Sequence, residues 1–532
     1  MIILGIHKDP WHNTGAAILN TNNGKFEVAT ISEERLDRIK DSRNFPEKSI
    51  HACMKQTGVK SIQDIDLIVT DYFDSKNIFF GDYNKRVCRT DTFLHRFPKN
   101  KIKVVNHHLL HACSVYYSSP YKEAAILIVD GRGSFKETQS LFYAKNNNIK
   151  LIKKTNKIGI GLLYATITQN IGFKNLEEGK TMGLAPHGAD LKKKFSNFYG
   201  KYNGIETSYE KICIKGKYEF KKKFKKKITS FSDKARAAYE VQKETEKAML
   251  HLLKFAKKKT KTNNLCISGG VALNCVANNI LKDTKLFDNI HINPGASDTG
   301  IPLGGVYFGY FNINNNSKIS TNPSPYLGIN YSYKEIKNSI KLLSKKKNIK
   351  IYKDVNLKKT TELLLKNKAV GFFQGRSETG PRALGNRSIL MSPLKKENRY
   401  ILNKKIKLRE EFRPFAPIVL KENVSEYFYF NGESPYMLYA CKVRKNKKNL
   451  IPAVVHLDNT ARIQTVTSSS NIRMYKLIKM FKKKTKIPVL INTSFNIKNE
   501  PIVETPDNAI NCFLNTKIEA LFMEGYLIKK IK

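Results

Sequence analysis

His107 and His111 stand four residues apart in NHHLLHA, a spacing that puts both imidazoles on one face of a helix about one turn apart, as a metal pair requires. Asp130 in IVDGRG and Asp298 in GASDTG fall at expected strand ends or turns, where two carboxylates can complete the site. A set of two imidazoles and two carboxylates suits iron, manganese or zinc. The same histidines would also serve as a hydrogen-bonding cluster at a helix start, and spacing alone leaves both readings open. Glycine turns offer a second kind of chemistry. Asp130-Gly131 after one apolar strand and Gly269-Gly270 in SGGVALN after another let the backbone approach a phosphate or nucleoside, although such turns also arise from packing.

Arginines carry the third signal. GRSETGPRALGNRS holds Arg376, Arg382 and Arg387 among glycines, and IKLREEFRPFAP holds Lys407, Arg409 and Arg413. HLDNTARIQTV adds Arg462, and LINTSFN places Asn492 and Ser494 at the end of an apolar strand. Arginine in turns suits bidentate phosphate contacts. Surface ion pairing is the competing reading, but it favours amphipathic helices over Gly- and Pro-rich loops.

The elements that must position these groups follow from periodicity. Strands are expected over Met1–Ile6, Ala16–Leu19 and Phe26–Ile31, then a helix near Lys48–Gln56. KIKVVNHHLLHACSVYYSSP reads as a short strand and a helix, and EAAILIVDGRG as a strand ending at Asp130. Residues 190–232 are Lys-rich and read as an insertion. ARAAYEVQKETEKAMLHLLKFAKK has the spacing of a long amphipathic helix, and NNLCISGGVALNCVANNIL reads as strand, turn and helix. Pro, Asn and Lys accumulate from Ser317 to Lys358, which places a domain boundary there: an α/β domain over 1–350 and a second α/β domain over 351–532. No internal repeat is visible.

Composition sets the outer limits. At 532 residues with 41% hydrophobic content, the chain calls for more than one folded core and excludes disorder. MIILGIHKDPW lacks the pattern of a signal peptide and no run approaches a membrane span, so a soluble cytoplasmic protein with no membrane partner is expected. The eight cysteines, without a CxxC pair, read as reduced structural thiols. A net charge of +49 raises nucleic-acid binding. Lysine runs such as KKKFKKK at 221–227 are dispersed among Asn and Ile, however, and read better as solvated surface.

In order and spacing, EERLDRIK, NHHLLHA, IVDGRG, EEGKTMGLAPHG, SGGVALN, GRSETGPRALGNRSI, LREEFRPFAP, HLDNTARIQTV and LINTSFN resemble the two-domain O-carbamoyltransferases that act on nodulation factors and antibiotics. The resemblance implies an N-terminal actin/sugar-kinase-like (ASKHA) domain and a C-terminal YrdC-like α/β domain. It implies that ATP, with Mg2+, and carbamoyl phosphate form carbamoyl-adenylate, whose carbamoyl group passes to a hydroxyl of a small-molecule sugar or natural-product acceptor. It makes His107, His111, Asp130 and Asp298 ligands of a divalent metal, iron first, with manganese or zinc as alternatives. Asp130, Gly131, Gly269, Gly270 and Asn274 become the adenylate cradle, and Arg382, Lys407, Arg413, Arg462, Asn492 and Ser494 the carbamoyl phosphate and ATP site. His12 in PWHNTGAA matches the family's base, and Lys40 in RIKDSRNFP a position facing the acceptor. HNTGAA and DNTAR depart from the family's usual first turn and DGTAR, without removing an assigned ligand. Transfer of carbamoyl or threonylcarbamoyl to tRNA or protein is the alternative activity. A non-catalytic nucleotide- or nucleic-acid-binding protein is the alternative class, and a homodimer stays open.

Overall fold

Short, fully buried apolar strands build the first half of the chain. The computed structural model describes residues 1–8, 13–22, 24–71, 93–94, 96–134, 136–191, 196–214, 217–220, 228–314, 316, 324–341, 343 and 348–531. Two units emerge: Met1–Glu33 with Arg43–Pro323, and Glu34–Ser42 with Ser324–Lys532.

In the first unit, β1 (Ile2–His7), β2 (Gly15–Asn20), β3 (Glu27–Ser32), β4 (Leu67–Thr70) and β5 (Ile102–Val104) form a sheet of order β3-β2-β1-β4-β5. The first three strands are an antiparallel meander, and β4 and β5 run parallel to β1. A second sheet is built from β6 (Glu123–Val129), β7 (Gln139–Lys145) and β8 (Asn148–Thr155). The chain then makes a three-stranded antiparallel sheet of β9 (Ser196–Asn203), β10 (Glu206–Ile214) and β11 (Lys217–Phe220), within the Lys-rich segment. β12 (Asn264–Ser268) and β13 (Asn289–His291) complete the second sheet in the order β13-β12-β6-β7-β8. Again the first three strands are an antiparallel meander, and the last two run parallel to the first. The unit therefore contains the same topology twice, a repeat that the sequence conceals because strand pairing constrains burial rather than residue identity.

Each sheet's fifth strand leads to a helix that packs on the other sheet. The helix His107–Tyr117 follows β5 and packs against β6 and β12; the helix Ile301–Tyr307 follows β13 and packs against β1, β2 and β4. The two helices also pack on each other, closely enough that a Cβ on Gly304 would lie 2.0 Å from the Leu110 carbonyl oxygen. This exchange brings the carboxyl ends of β1, β4, β6 and β12 together with the starts of both helices, the place where open α/β sheets bind ligands. The long helix Phe231–Thr260, capped by Ser230, flanks the second sheet and packs on β6.

The second unit is one nine-stranded mixed sheet. Its strands are β14 (Ile349–Lys353), β15 (Val370–Phe373), β16 (Arg387–Met391), β17 (Ala416–Leu420), β18 (Tyr439–Lys442), β19 (Thr460–Val466), β20 (Val489–Ser494), β21 (Ala520–Met523) and β22 (Tyr526–Lys530). They lie in the order β14-β22-β21-β15-β16-β20-β17-β19-β18 around a core of Phe372, Ile389, Ile418, Leu490 and Phe522. Segment Glu34–Ser42 joins it through arginine. Arg35 donates to the Gly380 carbonyl at 2.9 Å, and Arg38 donates to Pro501 and Ile502 at 2.9 and 2.8 Å. Among the described residues no helix is long and apolar enough to cross a membrane, and six cysteines are buried free thiols.

Candidate metal centre and cation cluster

His107 and His111, on the first turns of their helix, meet Asp130 beyond β6 and Asp298 before the Ile301–Tyr307 helix. The four are buried, and one ligand atom from each lies within 4.8 Å of all the others. His107 Nε2 is 3.3 Å from Asp130 Oδ2 and 3.5 Å from Asp298 Oδ1; His111 Nε2 is 3.6 and 3.5 Å from the same oxygens. His111 Nε2 makes no hydrogen bond despite complete burial. Separations of this size are long for hydrogen bonds and lie close to those of donors sharing one cation, which at ~2.1 Å from each stand roughly 3.0–3.4 Å apart. The donor set therefore fits a divalent metal.

Neighbouring groups turn these donors inward. Ser268 Oγ donates to the Ala296 carbonyl at 3.0 Å, so it accepts from His111 Nδ1 at 3.2 Å and leaves Nε2 as the inward lone pair. The Gly270 amide donates to Asp130 Oδ1 at 2.8 Å, leaving Oδ2 for the histidines. Burial opposes charge on His107, yet the hydrogen bonds it gives to Asp130, Asp298 and Asp71 outweigh it and hold its pKa well above the ordinary imidazole value. Burial would raise the Asp130 pKa, but His107 and His111 hold it well below the carboxylate range. His108, the third histidine of the motif, bonds Ser140 at 2.8 Å, away from the centre.

Of the expected cradle, Gly269 and Gly270 lie beside the centre and Gly131 stands open, with nothing within 4 Å of a Cβ built there. Gly269 has φ +92°, and a Cβ would meet the Val129 carbonyl oxygen at 2.4 Å, so only glycine fits this crossing of β12 and β6. Asn274 caps the helix Cys275–Asp283 through the Ala277 amide at 3.1 Å and donates to Gln242 at 2.9 Å. Lys40 belongs to the segment of the second unit, half exposed and 3.4 Å from Asp41. His12 lies outside the described residues.

In the second unit, Lys407 is buried and donates to the Ser494 carbonyl and hydroxyl at 2.7 and 3.2 Å and to the Asn496 carbonyl at 2.7 Å. Burial and the neighbouring Arg409 and Arg413 push its pKa well below the ordinary lysine value. Burial, Arg413 and Arg462 act the same way on Arg409, which lies over the Phe415 ring at 4.5 Å. Asn492 donates to the carbonyl of Ala383, next to Arg382, at 3.2 Å and to Gln464 at 2.7 Å. Lys407, Arg413 and Arg462 thus converge, with Ser494 beside Lys407 and Asn492 beside the Arg382 loop. Arg376 and Arg387 are spent on architecture. Arg376 donates to the carbonyls of Gly328 and Leu327 at 2.8 and 2.6 Å. Arg387, fully buried, donates to Gln374 and Gly375 at 2.7 and 3.0 Å.

Sequence reasoning passed over His7, Asp71, Ser268 and Gln464. His7 and Asp71 each stand at the carboxyl end of an apolar strand, IILGIH and LIVTD, the same signal that singled out Asp130 in AILIVDGRG. Among known families, the model described as carbamoyltransferase N-terminus matches residues 76–306 and that described as carbamoyltransferase C-terminus matches 361–530. An uncharacterized protein of Synechocystis sp. is 32% identical over 99% of this chain and 96% of its own length. Nodulation protein NolNO of Sinorhizobium fredii is 32% identical over 97% of this chain and 79% of its own. An uncharacterized protein of Methanocaldococcus jannaschii is 31% identical over the full length of both.

Proposed function

Because the chain belongs to the carbamoyltransferase family and is a carbamoyltransferase, we propose that it is an ATP-dependent O-carbamoyltransferase that forms carbamoyl-adenylate and passes the carbamoyl group to a hydroxyl of a small sugar or natural product. The convergence of Lys407, Arg409, Arg413 and Arg462 carries this reading. Buried and half-buried cations gathered together repel one another, and a dense anion relieves that repulsion. ATP and carbamoyl phosphate are such anions. Water first cleaves carbamoyl phosphate to carbamate and phosphate. A carbamate oxygen then attacks the α-phosphorus of ATP, breaking its bond to the β-phosphate oxygen to give carbamoyl-adenylate and pyrophosphate; both steps bring negative oxygens together at phosphorus. Arg382, Lys407, Arg413 and Arg462, with Asn492 and Ser494, would hold the reactants and offset the charge that develops. The mixed nine-stranded sheet supports assigning this half to the YrdC-like type, and the twice-used sheet topology supports the actin/sugar-kinase type for the first unit.

In the first unit the reading gives His107, His111, Asp130 and Asp298 to a divalent metal, for which iron, manganese and zinc all suit the donors. Bound there, a metal supplies Lewis-acid stabilisation of charge on the carbamoyl-adenylate. Gly131, Gly269 and Gly270 let its backbone neighbours approach that molecule. The acceptor hydroxyl must lose a proton as it attacks, and His12 is assigned as the base, with Lys40 assigned to the acceptor side. Asn274, spent on its helix cap, acts through the helix start rather than by direct contact.

Purified protein incubated with ATP, carbamoyl phosphate and Mg2+ is expected to release pyrophosphate and accumulate carbamoyl-adenylate. Arg413→Ala is expected to lower that rate by roughly 100-fold or more, as loss of one charge-stabilising donor does. No pyrophosphate from the wild type under any metal or acceptor condition would sink the reading.

A further inference from the structure

Asp71 follows β4 directly, and His7 ends β1, the adjacent parallel strand. Their exposures are 4% and 1%, and neither is among the four residues assigned to the metal. Asp71 Oδ2 lies 2.6 Å from His107 Nδ1 and 2.9 Å from His7 Nδ1, and its Oδ1 lies 3.0 Å from His7 Nδ1. A carboxylate has no hydrogen to give, so both rings donate Nδ1–H to it. In the neutral, metal-binding form of each ring, Nε2 is then a lone pair. His107 turns its lone pair on Asp130 and Asp298. His7 Nε2, fully buried and without a hydrogen bond, sits 4.0 Å from Asp298 Oδ2. Lone pairs and carboxylate oxygens facing one another across these distances repel unless a positive charge stands among them.

We propose that Asp71 is the positioning residue of the metal centre, holding His107 with Nε2 turned towards the cation, and that His7 braces Asp71 from the opposite side. The arrangement parallels Ser268 behind His111, but with a charged acceptor shared by two rings. Such an outer carboxylate fixes the ring tautomer and raises the basicity of the ligand nitrogen. Because Asp71 and His7 belong to the first sheet and the two ligand carboxylates to the second sheet and its following turn, the brace ties ligand geometry to the packing of both sheets.

This inference rests on His107, His111, Asp130 and Asp298 being metal ligands, and Co(II) titration of the metal-free full-length protein separates the two claims. Wild type should bind Co(II) with visible absorption bands, and His107→Ala should abolish binding. Asp71→Asn keeps the volume but loses the charge and one acceptor; it should weaken Co(II) binding about 10- to 100-fold and shift the bands. Asp71→Glu retains the carboxylate and should fall between, which serves equally if Asp71→Asn does not fold. His7→Phe should weaken binding less than Asp71→Asn. If both Asp71 variants keep wild-type affinity and bands while His107→Ala loses binding, the brace is overturned and the metal centre stands. If His107→Ala binds Co(II) like wild type, the metal centre itself falls.

Discussion

The first unit gathers groups of opposite charge, and the second gathers groups of like charge. Around Asp130 and Asp298, carboxylates and imidazoles compensate one another, so burial is tolerated and His107 and His7 are driven towards their charged form. Around Lys407 and Arg409 the neighbours are Arg413 and Arg462, so burial and repulsion both act against charge. A histidine titrates in opposite directions in the two places: His107 is raised, whereas burial, opposed by Asp458 and aided by Arg462 and Arg399, lowers His456 to about 4. A self-compensated cluster selects a small cation that replaces shared protons. An uncompensated cluster selects an anion, because only an anion removes the repulsion.

Breaking the compensation should have the largest effect. Asp130→Ala leaves two buried imidazoles facing one remaining carboxylate and removes a proposed ligand; Co(II) affinity should fall by more than about 100-fold and carbamoyl transfer should cease. In contrast, Arg413→Ala removes a like charge that is a third exposed and should leave the thermal midpoint unchanged while activation collapses. If the variant melts as far below wild type as Asp130→Ala does, the second cluster is holding structure rather than waiting for an anion.

A smaller effect tests how the first centre is brought together. Gly304→Ala drives a methyl group against the Leu110 carbonyl and should destabilise the first unit by roughly 1–3 kcal/mol, read by chemical denaturation. The smallest effect sharpens the contrast in pH response. His456 has a folded-state pKa of about 4 against an ordinary 6.5, so the unfolded chain binds the extra proton first. Its contribution to stability is complete above pH 6.5 and is lost as pH falls towards 4. Wild type should therefore lose a few degrees more in melting temperature between pH 7 and 4.5 than His456→Gln does, and equal losses would remove His456 from the account.

Much of the local structure was legible. The expected strands at Met1–Ile6, Ala16–Leu19 and Phe26–Ile31 are β1, β2 and β3 within two residues, and the helix at Lys48–Gln56 is Glu47–Thr57. Apolar runs bounded by turn residues and the i, i+4 spacing of His107 and His111 are short-range properties, so the chain declares them without help. The arginines show where that legibility ends. Arg376, Arg387 and Arg413 share glycine- or proline-punctuated contexts, yet the first two point their guanidinium groups at backbone carbonyls of their own unit. Which way an arginine turns depends on acceptors far away in sequence, and these exist only after the sheet forms.

Sequence by itself determined the donors: two histidines a turn apart, aspartates closing apolar strands, and arginines in loops. Tertiary structure alone decided which of them meet. It duplicated a sheet topology without repeating a sequence, since hydrogen-bonded register asks for buried apolar side chains and not for particular ones. It exchanged a helix between the two sheets, and so set Asp71 at 2.6 Å from His107, 36 residues away along the chain. Local patterns report what a residue can do; the partner that makes it do so is supplied by packing across the fold.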